Sequence, residues 1–251
     1  MKGADPVFIK RGRIGVLMFH GFTSTPQEMH YLADFLAKNN YSVAIPLLKG
    51  HGTDARDLAR TKVKDWLDSV MPAYLELRKH CDKIFLGGSS FGANLAVILS
   101  QKIKVDGLLL LAMPAYFRRE KTIRRALPFL SIIKRIRPFP KKPYLGQYEH
   151  IYKKKLHYDV FPLNCAKDVI NTIALSRKLL PKIHVPTLVM QSDSDHQITK
   201  ENAVFIYNHL GTKHKHLFFV PNAYHVFIMD KNRNMAFKEI NNFIKKYGAE
   251  K

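Results

Sequence analysis

The stretch Gly88-Ser89-Ser90-Phe91-Gly92 decides the fold of this chain. It matches the pattern G-x-S-x-G, in which a serine occupies a sharp turn between a strand and a helix. The run 83–87 ahead of it has the composition of a buried strand, and the run 94–99 behind it has that of a helix. Only Ser90 satisfies the spacing, so we expect Ser90 to be a nucleophile. The alternative is an ordinary turn that joins a strand to a helix.

Strands and helices alternate on both sides of this turn, which predicts an α/β fold with a mostly parallel central sheet flanked by helices. The apolar runs of strand length are 14–19, 41–45, 83–87, 107–112, 186–191 and 216–220. One helix is expected to begin with Thr25 as its N-cap, Pro26 in its first turn and Glu28 three residues after the cap. A second helix face is expected between Val63 and Leu77.

The alternation stops between residues 114 and 163, where the sequence becomes aromatic, proline-rich and basic. We expect 114–163 to be a cap insertion within a single domain that spans 1–251. Its basic residues are Arg118, Arg119, Lys121, Arg124, Arg125, Lys134, Arg135, Arg137, Lys141, Lys142, Lys153, Lys154 and Lys155. The acidic residues that oppose them are Glu120, Glu149 and Asp159. Interleaved apolar residues predict two short amphipathic helices that are split at Pro128.

A serine hydroxyl needs a base that accepts its proton, and the base needs a carboxylate that fixes its tautomer. In folds with this serine turn the chain order is serine, acid, histidine. His225 follows the last predicted strand and is the expected base, with a surface or capping histidine as the alternative. Asp193 and Asp195 both follow the strand 186–191, and the spacing alone allows either to be the acid.

Two backbone amides are expected to form an oxyanion hole for the negative charge that develops on the carbonyl oxygen. One is the amide of Phe91, directly after the nucleophile. The other is the amide of Phe22, in the loop after the first predicted strand, where Gly21 lets the backbone turn inward. His20 beside them is expected to be structural.

Taken together, these segments resemble an α/β-hydrolase of the bacterial carboxylesterase and monoacylglycerol lipase group. The matching segments are 19–23, 49–52, 65–66, 88–92, 186–189, 195–198 and 225–226. The resemblance implies the α/β-hydrolase fold, a cap over the site that shapes the acyl pocket, and a loop at 49–52 that borders the site with a structural His51. It favours Asp195 over Asp193, because in this group an apolar residue closely follows the acid, as Ile198 follows Asp195.

The chain carries 41 Lys and Arg residues against 20 Asp and Glu residues, a net charge of +21. Such an excess favours anionic partners, but no nucleic-acid-binding signature is present, so nucleic acid is not expected. The basic cap indicates either a lid on an anionic membrane surface or a cap that packs on its own domain. No apolar run reaches the ~20 residues of a membrane span and no signal core is present, which predicts a cytoplasmic protein with peripheral membrane contact as an option.

The sequence therefore predicts a serine carboxylesterase that hydrolyses a small-molecule ester or lipid through a Ser-His-Asp triad and an acyl-enzyme. The apolar cap residues favour a short-to-medium or single acyl chain. No metal or organic cofactor is expected. Two alternatives stay open: a monoacylglycerol lipase or lysophospholipase that acts at an anionic membrane surface, and a non-catalytic binding protein on a hydrolase scaffold.

Overall fold

The computed structural model describes residues 1–116, 120–142 and 153–249, apart from the side chain of Lys121. Within these ranges, the strands form one seven-stranded sheet with the order β1-β3-β2-β4-β5-β6-β7. The strands are β1 (Val7–Ile9), β2 (Ile14–Phe19), β3 (Ser42–Ile45), β4 (Lys83–Ser89), β5 (Gly107–Leu111), β6 (Thr187–Ser192) and β7 (Lys215–Val220). β1 is antiparallel to β3, and the other described pairs are parallel, which confirms the predicted sheet.

Helices cover both faces of this sheet. The α-helices in the described ranges are α1 (His30–Lys38), α2 (Ala55–Leu58), α3 (Val63–Asp68), α4 (Met71–Arg78), α5 (Phe91–Leu99), α6 (Glu120–Ala126), α7 (Leu130–Ile136), α8 (Ala166–Leu179), α9 (Lys200–His209) and α10 (Arg233–Gly248). Short 3-10 turns occupy Pro26–Met29, Leu127–Phe129, Leu163–Cys165, Leu180–Lys182 and Phe227–Met229. None of the helices in the described part of the chain is long and apolar enough to cross a bilayer.

The side chains of β2 show how the sheet divides the core. Val16 and Met18 belong to the apolar cluster that includes residues of α1 and α10. Leu17 and Phe19 belong to the cluster on the other face, which includes residues of α3, α4, α5, α8 and α9. Because successive side chains on a strand point to opposite faces, an unbroken apolar run is what a sheet covered on both faces requires.

Two local predictions about helices were wrong in part. The single helix predicted from Val63 to Leu77 is two helices, because Pro72 lacks an amide hydrogen and its ring clashes with the preceding turn, so that α3 ends at Asp68. Thr25 does occupy the N-cap position before Pro26, as predicted, but it makes no side-chain cap hydrogen bond, and Glu28 does not cap this helix. The Glu28 carboxylate is fully buried and accepts hydrogen bonds from the loop before the helix instead.

The segment 114–163 contains the two short helices expected there, α6 and α7, with Pro128 in the 3-10 turn between them. Several of its apolar side chains are exposed to solvent, among them Phe129, Ile132 and Ile136. Arg118, Arg119 and Glu149, which were counted in the charge of this segment, lie outside the described residues.

The order of the central strands determines where a site can form. β2 and β4 are hydrogen-bonded neighbours, while the chain leaves β2 for β3 on one side and continues from β4 to β5 on the other. In open parallel sheets, ligands bind outside the carboxyl ends of the strands where the strand order reverses in this way. The loop that carries Phe22 follows β2, and Ser90 follows β4. Both therefore lie at this switch point.

Candidate active site

Ser90 sits in the turn between β4 and α5, in a backbone conformation that non-glycine residues rarely adopt, with φ 53° and ψ −124°. The glycines on either side of it allow the close approach of strand and helix. A Cβ on Gly88 would lie 2.3 Å from the backbone carbon of Gly92, and a Cβ on Gly92 would lie 2.4 Å from the Phe19 carbonyl oxygen. Both distances are far below van der Waals contact, so this turn needs glycine at both positions.

The structure brings together the three side chains that were singled out in the sequence. Nε2 of His225 lies 2.9 Å from the Ser90 Oγ, and Nδ1 of His225 lies 2.5 Å from Oδ2 of Asp195. His225 and Asp195 are buried, whereas Ser90 is half-buried and lines a cavity. This hydrogen-bonded chain has the geometry of a nucleophile, a general base and a group that orients the base.

Asp195 is held by four hydrogen bonds in the described structure. Its Oδ1 accepts the amides of Gln197 and Ile198, at 2.8 and 3.0 Å, and its Oδ2 accepts Nε2 of Gln191 at 2.7 Å in addition to His225. Burial by itself raises the pKa of this carboxyl group, but His225 and the two amides hold the pKa below its ordinary value. The group is therefore an ionised carboxylate at neutral pH.

Asp193, the other aspartate that the spacing allowed, has a different position. Its Oδ1 accepts the amide of Asn222 at 2.8 Å and the hydroxyl of Ser194 at 2.8 Å. Asn222 has a positive φ of 49° and lies in the loop that leads to His225. Asp193 thus stabilises the turn before His225 but does not contact the imidazole in any described hydrogen bond.

The residues expected to supply the oxyanion hole, Phe22 and Phe91, face the same cavity as Ser90. Their rings pack edge to face with centroids 5.4 Å apart, and the Phe22 ring also contacts Trp66 and His51. In the part of the chain that the structure describes, neither amide donates a hydrogen bond. Phe91 is also the first residue of α5, whose N-terminus carries the positive end of the helix dipole. Both donors are thus open to an anionic oxygen.

The loop that carries Phe22 is fixed by Glu28, which sequence reasoning had given another role. Its carboxylate accepts the Gly21 amide and the Ser24 hydroxyl, each at 2.6 Å, and pairs with Nζ of Lys155 at 2.7 Å. Burial raises the pKa of Glu28, but Lys155 and the Ser24 hydroxyl hold the pKa below its ordinary value. The partner of Glu28, Lys155, lies more than a hundred residues away in sequence, so no local sequence pattern identifies this ion pair.

His20 and His51 are buried and, as expected, lie outside the chain of hydrogen bonds that leads to Ser90. Nδ1 of His20 donates to the Gly21 carbonyl at 3.0 Å, and its Nε2 accepts the Leu48 amide at 3.2 Å. Burial lowers the pKa of His20 to about 4 and lowers that of His51 well below its ordinary value. Both imidazoles are therefore neutral near pH 7 and pack beside the Phe22 loop, with their centroids 5.0 Å apart.

The cavity at Ser90 has a volume of about 360 Å³. This value lies toward the lower end of the range of about 300–1,000 Å³ for small-molecule sites. Apolar side chains that line it include Phe161, Val169, Ile173, Ile198 and Val226. Polar and charged side chains that line it include Thr23, Glu28, Lys142, Lys155 and Gln197. Neither lysine was assigned a role in the site from the sequence.

The described residues contain no cluster of three or more His, Cys, Asp or Glu side chains arranged to hold a metal ion. The two cysteines, Cys81 and Cys165, are free and buried, as expected for reduced structural thiols. Burial raises the pKa of the Cys165 thiol to about 12, so this sulfur is not a nucleophile near neutral pH.

Residues 11–232 match the family described as serine aminopeptidase, S33, also called Hydrolase_4. The chain belongs to this family. It is an α/β-hydrolase and an enzyme of the serine hydrolase class, in agreement with the predicted α/β-hydrolase fold.

Two relatives match nearly the whole of this chain. The thermostable monoacylglycerol lipase of Bacillus sp. strain H-257 is 30% identical over 255 residues, which cover 99% of this chain and 97% of that protein. The carboxylesterase of Bacillus subtilis strain 168 is 28% identical over 242 residues, which cover 96% of both. The chain is thus similar over its full length to carboxylic ester hydrolases.

Among solved structures, one from a study of LipS and LipT, two metagenome-derived lipolytic enzymes, is 31% identical. It superposes with a TM-score of 0.85 over 98% of this chain and 99% of that one. A soluble variant of monoglyceride lipase from Saccharomyces cerevisiae, solved with a substrate analog, is 17% identical with a TM-score of 0.78 over 98% of this chain and 92% of that one. At that identity the second likeness concerns the fold alone.

Proposed function

We propose that this chain is a serine carboxylesterase that cleaves carboxylic esters with a short-to-medium or single acyl chain. The observation that carries the proposal is the continuous path from Ser90 through His225 to Asp195, with contacts of 2.9 and 2.5 Å, beside a cavity with apolar lining. Its similarity to a carboxylesterase and a monoacylglycerol lipase supports the same reaction class. The domain boundaries 1–251 and a cap at 114–163 belong to this proposal.

In the first half of the reaction, the Ser90 Oγ attacks the ester carbonyl carbon while Nε2 of His225 accepts the serine proton. Asp195 holds Nδ1–H of His225 and stabilises the imidazolium that forms. The carbonyl oxygen becomes negatively charged and accepts hydrogen bonds from the amides of Phe22 and Phe91. When the tetrahedral intermediate collapses, the carbon–oxygen bond to the alcohol breaks, and His225 gives its proton to the departing alkoxide.

In the second half, a water molecule replaces the alcohol. His225 accepts one proton from the water as its oxygen attacks the acyl carbon, and it returns this proton to the Ser90 Oγ as the acid leaves. One ester and one water thus become one acid and one alcohol. Every proton transfer runs through the same nitrogen, and no step requires a metal or an organic cofactor.

The test is hydrolysis of p-nitrophenyl esters of increasing acyl length by the wild-type protein and by Ser90→Ala. We expect turnover by the wild type and a loss of at least about 10⁴-fold in the variant. The acyl length with the highest kcat/KM then indicates how long a chain the apolar part of the cavity accommodates. A wild-type protein that is folded yet inactive on every ester would favour a non-catalytic binding role on this scaffold.

A second candidate is a monoacylglycerol lipase or lysophospholipase that works at an anionic membrane surface, with the chain otherwise in the cytoplasm. Its support is the exposure of Phe129, Ile132 and Ile136 on a segment rich in lysine and arginine. Such a surface suits a bilayer interface with anionic headgroups.

This candidate predicts sedimentation with vesicles that contain phosphatidylserine and a higher rate on esters presented in those vesicles. Both effects are expected to decrease with salt, because the lysine and arginine charges are screened. Ile132→Ser combined with Ile136→Ser is expected to abolish the gain without changing hydrolysis of a dissolved ester. Equal rates with and without vesicles would instead favour a cap that packs on its own domain.

A further inference from the structure

The polar residues that line the cavity contact one another and form a group distinct from its apolar lining. Lys142 donates a hydrogen bond to the hydroxyl of Thr23, and Lys155 pairs with Glu28 at 2.7 Å. Thr23 directly follows Phe22, so this polar group begins beside the expected oxyanion hole. Val169 and Ile173, one turn apart on α8, belong to the apolar lining instead.

Lys142 is bound only by neutral groups in the described structure. A protonated lysine offers three N–H donors. Two of them are used, by the Thr23 Oγ1 and by the carbonyl oxygen of Tyr158. Within the described ranges, no carboxylate accepts a hydrogen bond from this ammonium and no third acceptor is present. One donor of this half-buried cation therefore has no acceptor among the residues that the structure describes.

The two carboxylates near Lys142 are both engaged or exposed, so neither forms an ion pair with it in the described structure. Lys155 is neutralised by its contact with Glu28. His157 has its pKa lowered, mainly by burial, and its partner Asp159, 3.3 Å away, has a side chain that is 75% exposed to water. Burial and the nearby Lys155 lower the pKa of Lys142 to about 7, although Asp159 and Glu28 offset part of this effect. A bound anion would complete the compensation and supply a third acceptor for the ammonium.

We propose that Lys142 is an anion-binding residue of this cavity, and that the substrate is a monoacyl ester whose alcohol part carries a phosphate or a carboxylate. The inference rests on the proposed function for the position of the ester bond at Ser90. The acyl chain occupies the apolar lining formed by residues such as Val169 and Ile173, which leaves the polar group for the alcohol part. An ammonium is a compact point charge that suits a phosphate or carboxylate oxygen.

The experiment compares two esters that share one acyl chain: 1-octanoylglycerol, which is neutral, and 1-octanoylglycerol 3-phosphate. Released octanoate gives kcat/KM for the wild type, Lys142→Met, Lys142→Arg and Lys141→Met. Lys141→Met is the matched control, because it removes the same charge from the adjacent residue, which is exposed. Inorganic phosphate and glycerol 3-phosphate are added as inhibitors of hydrolysis of the neutral ester. Their relative strength separates binding of a free anion from binding of the phosphorylated alcohol part of the lipid.

We expect the wild type to prefer the phosphate ester and Lys142→Met to lose roughly 10- to 100-fold in kcat/KM on that ester alone. Lys142→Arg should recover part of the loss, and Lys141→Met should resemble the wild type. The wild-type preference should decrease as the pH rises through about 7, where the free enzyme loses the Lys142 proton. Lys142→Met should show no such decrease.

Equal losses on both esters in Lys142→Met would overturn the proposal and assign Lys142 a structural role, while Ser90-dependent hydrolysis of the neutral ester would leave the proposed function intact. Inhibition by inorganic phosphate that is as strong as inhibition by glycerol 3-phosphate would overturn the assignment to the alcohol part of an ester and reduce the site to a free-anion site. Calorimetric binding of the phosphate ester to Ser90→Ala, with and without Lys142→Met, tests recognition without catalysis. Lys142-dependent binding, combined with a wild-type protein that hydrolyses neither ester, would refute the proposed function and leave the anion site standing.

Discussion

The ammonium of Lys155 lies 2.7 Å from the Glu28 carboxylate, and this ion pair joins the segment 114–163 to the loop that carries Phe22. Both side chains are buried, with exposed fractions of 10% for Lys155 and 0% for Glu28. Because Glu28 also accepts the Gly21 amide, the pair fixes the backbone that leads to the proposed oxyanion hole. A residue of the basic segment thus acts on the site through a buried carboxylate.

Lys155→Met is expected to lower the free energy of unfolding by about 3–5 kcal/mol, because it leaves the Glu28 charge buried without a partner. It should also reduce kcat, since the Gly21 backbone is no longer held. The matched control is Lys79→Met, which breaks the exposed pair with Glu76 and should leave stability nearly unchanged, because water screens that pair. Urea unfolding and ester hydrolysis measure both effects. Equal stability losses in the two variants would contradict the role of the buried pair.

Asp195→Asn is expected to reduce kcat by about 10³- to 10⁴-fold with little change in KM, because an amide no longer fixes the imidazole tautomer. Asp193→Asn tests the other aspartate in the same loop with the same chemical change. It retains an oxygen that can accept the Asn222 amide, so its kcat should stay close to that of the wild type. Steady-state kinetics on one soluble ester distinguishes the two. The opposite order would make Asp193 the acid.

Ser90→Gly and Ser90→Ala both remove the proposed nucleophile but should differ in stability. The backbone of Ser90, at φ 53°, is strained by about 1–3 kcal/mol for any residue with a Cβ. Glycine relieves this strain, although its greater freedom in the unfolded chain offsets about 0.5–1 kcal/mol. We therefore expect Ser90→Gly to be more stable than Ser90→Ala by about 1 kcal/mol, with both inactive. Equal unfolding midpoints in urea would show that the turn is unstrained.

The buried imidazole of His20 predicts a loss of stability in mild acid. Its pKa is lowered by burial to about 4 in the folded protein, against about 6.5 in an unfolded chain. Between these values the imidazole binds a proton in the unfolded chain but not in the folded protein. The contribution of His20 to the free energy of unfolding is therefore fully present above about pH 6.5 and decreases toward pH 4. One such group contributes a slope of about 1.4 kcal/mol per pH unit.

The measurement is urea unfolding between pH 7 and pH 5 for the wild type and His20→Gln. The variant should have a smaller slope of stability against pH, by about 1.4 kcal/mol per unit. His30→Gln serves as the control for the substitution itself, because that side chain is exposed to water. A wild-type slope in His20→Gln would mean that other groups account for the acid sensitivity.

The sheet was predictable because its signals are local. The apolar run of β2, buried on both faces, can be recognised from its composition, and the spacing of Gly88 and Gly92 around Ser90 follows from their close contacts with backbone. The position of His225 followed from strand order along the chain, whereas strand order left Asp193 and Asp195 open and the family resemblance favoured Asp195. β1 was not anticipated, because three residues paired antiparallel with β3 leave too short a pattern.

The contacts that cross from one element to another were not predictable. Glu28 has the spacing of a helix cap, and only the three-dimensional arrangement shows that its partners are the Gly21 amide and Lys155. Gln191 reads as the end of a strand, yet its side chain donates to Asp195. In both cases the geometry of loops determines the partner, and residue type and spacing do not predict that geometry. Charge excess likewise indicated an anionic partner but did not distinguish Lys142 from its basic neighbours.

The hydrogen bond between Ser90 and His225 closes a gap of 135 residues in the chain. During synthesis the serine turn emerges from the ribosome long before the strand that precedes the histidine. Until β6 and β7 have been made and have joined the edge of the sheet, the hydroxyl lacks the proposed base and the proposed carboxylate. A polypeptide that ends before β7 would therefore carry a serine without an activating partner, and under the proposed function the appearance of esterase activity would require the last strand to be in place.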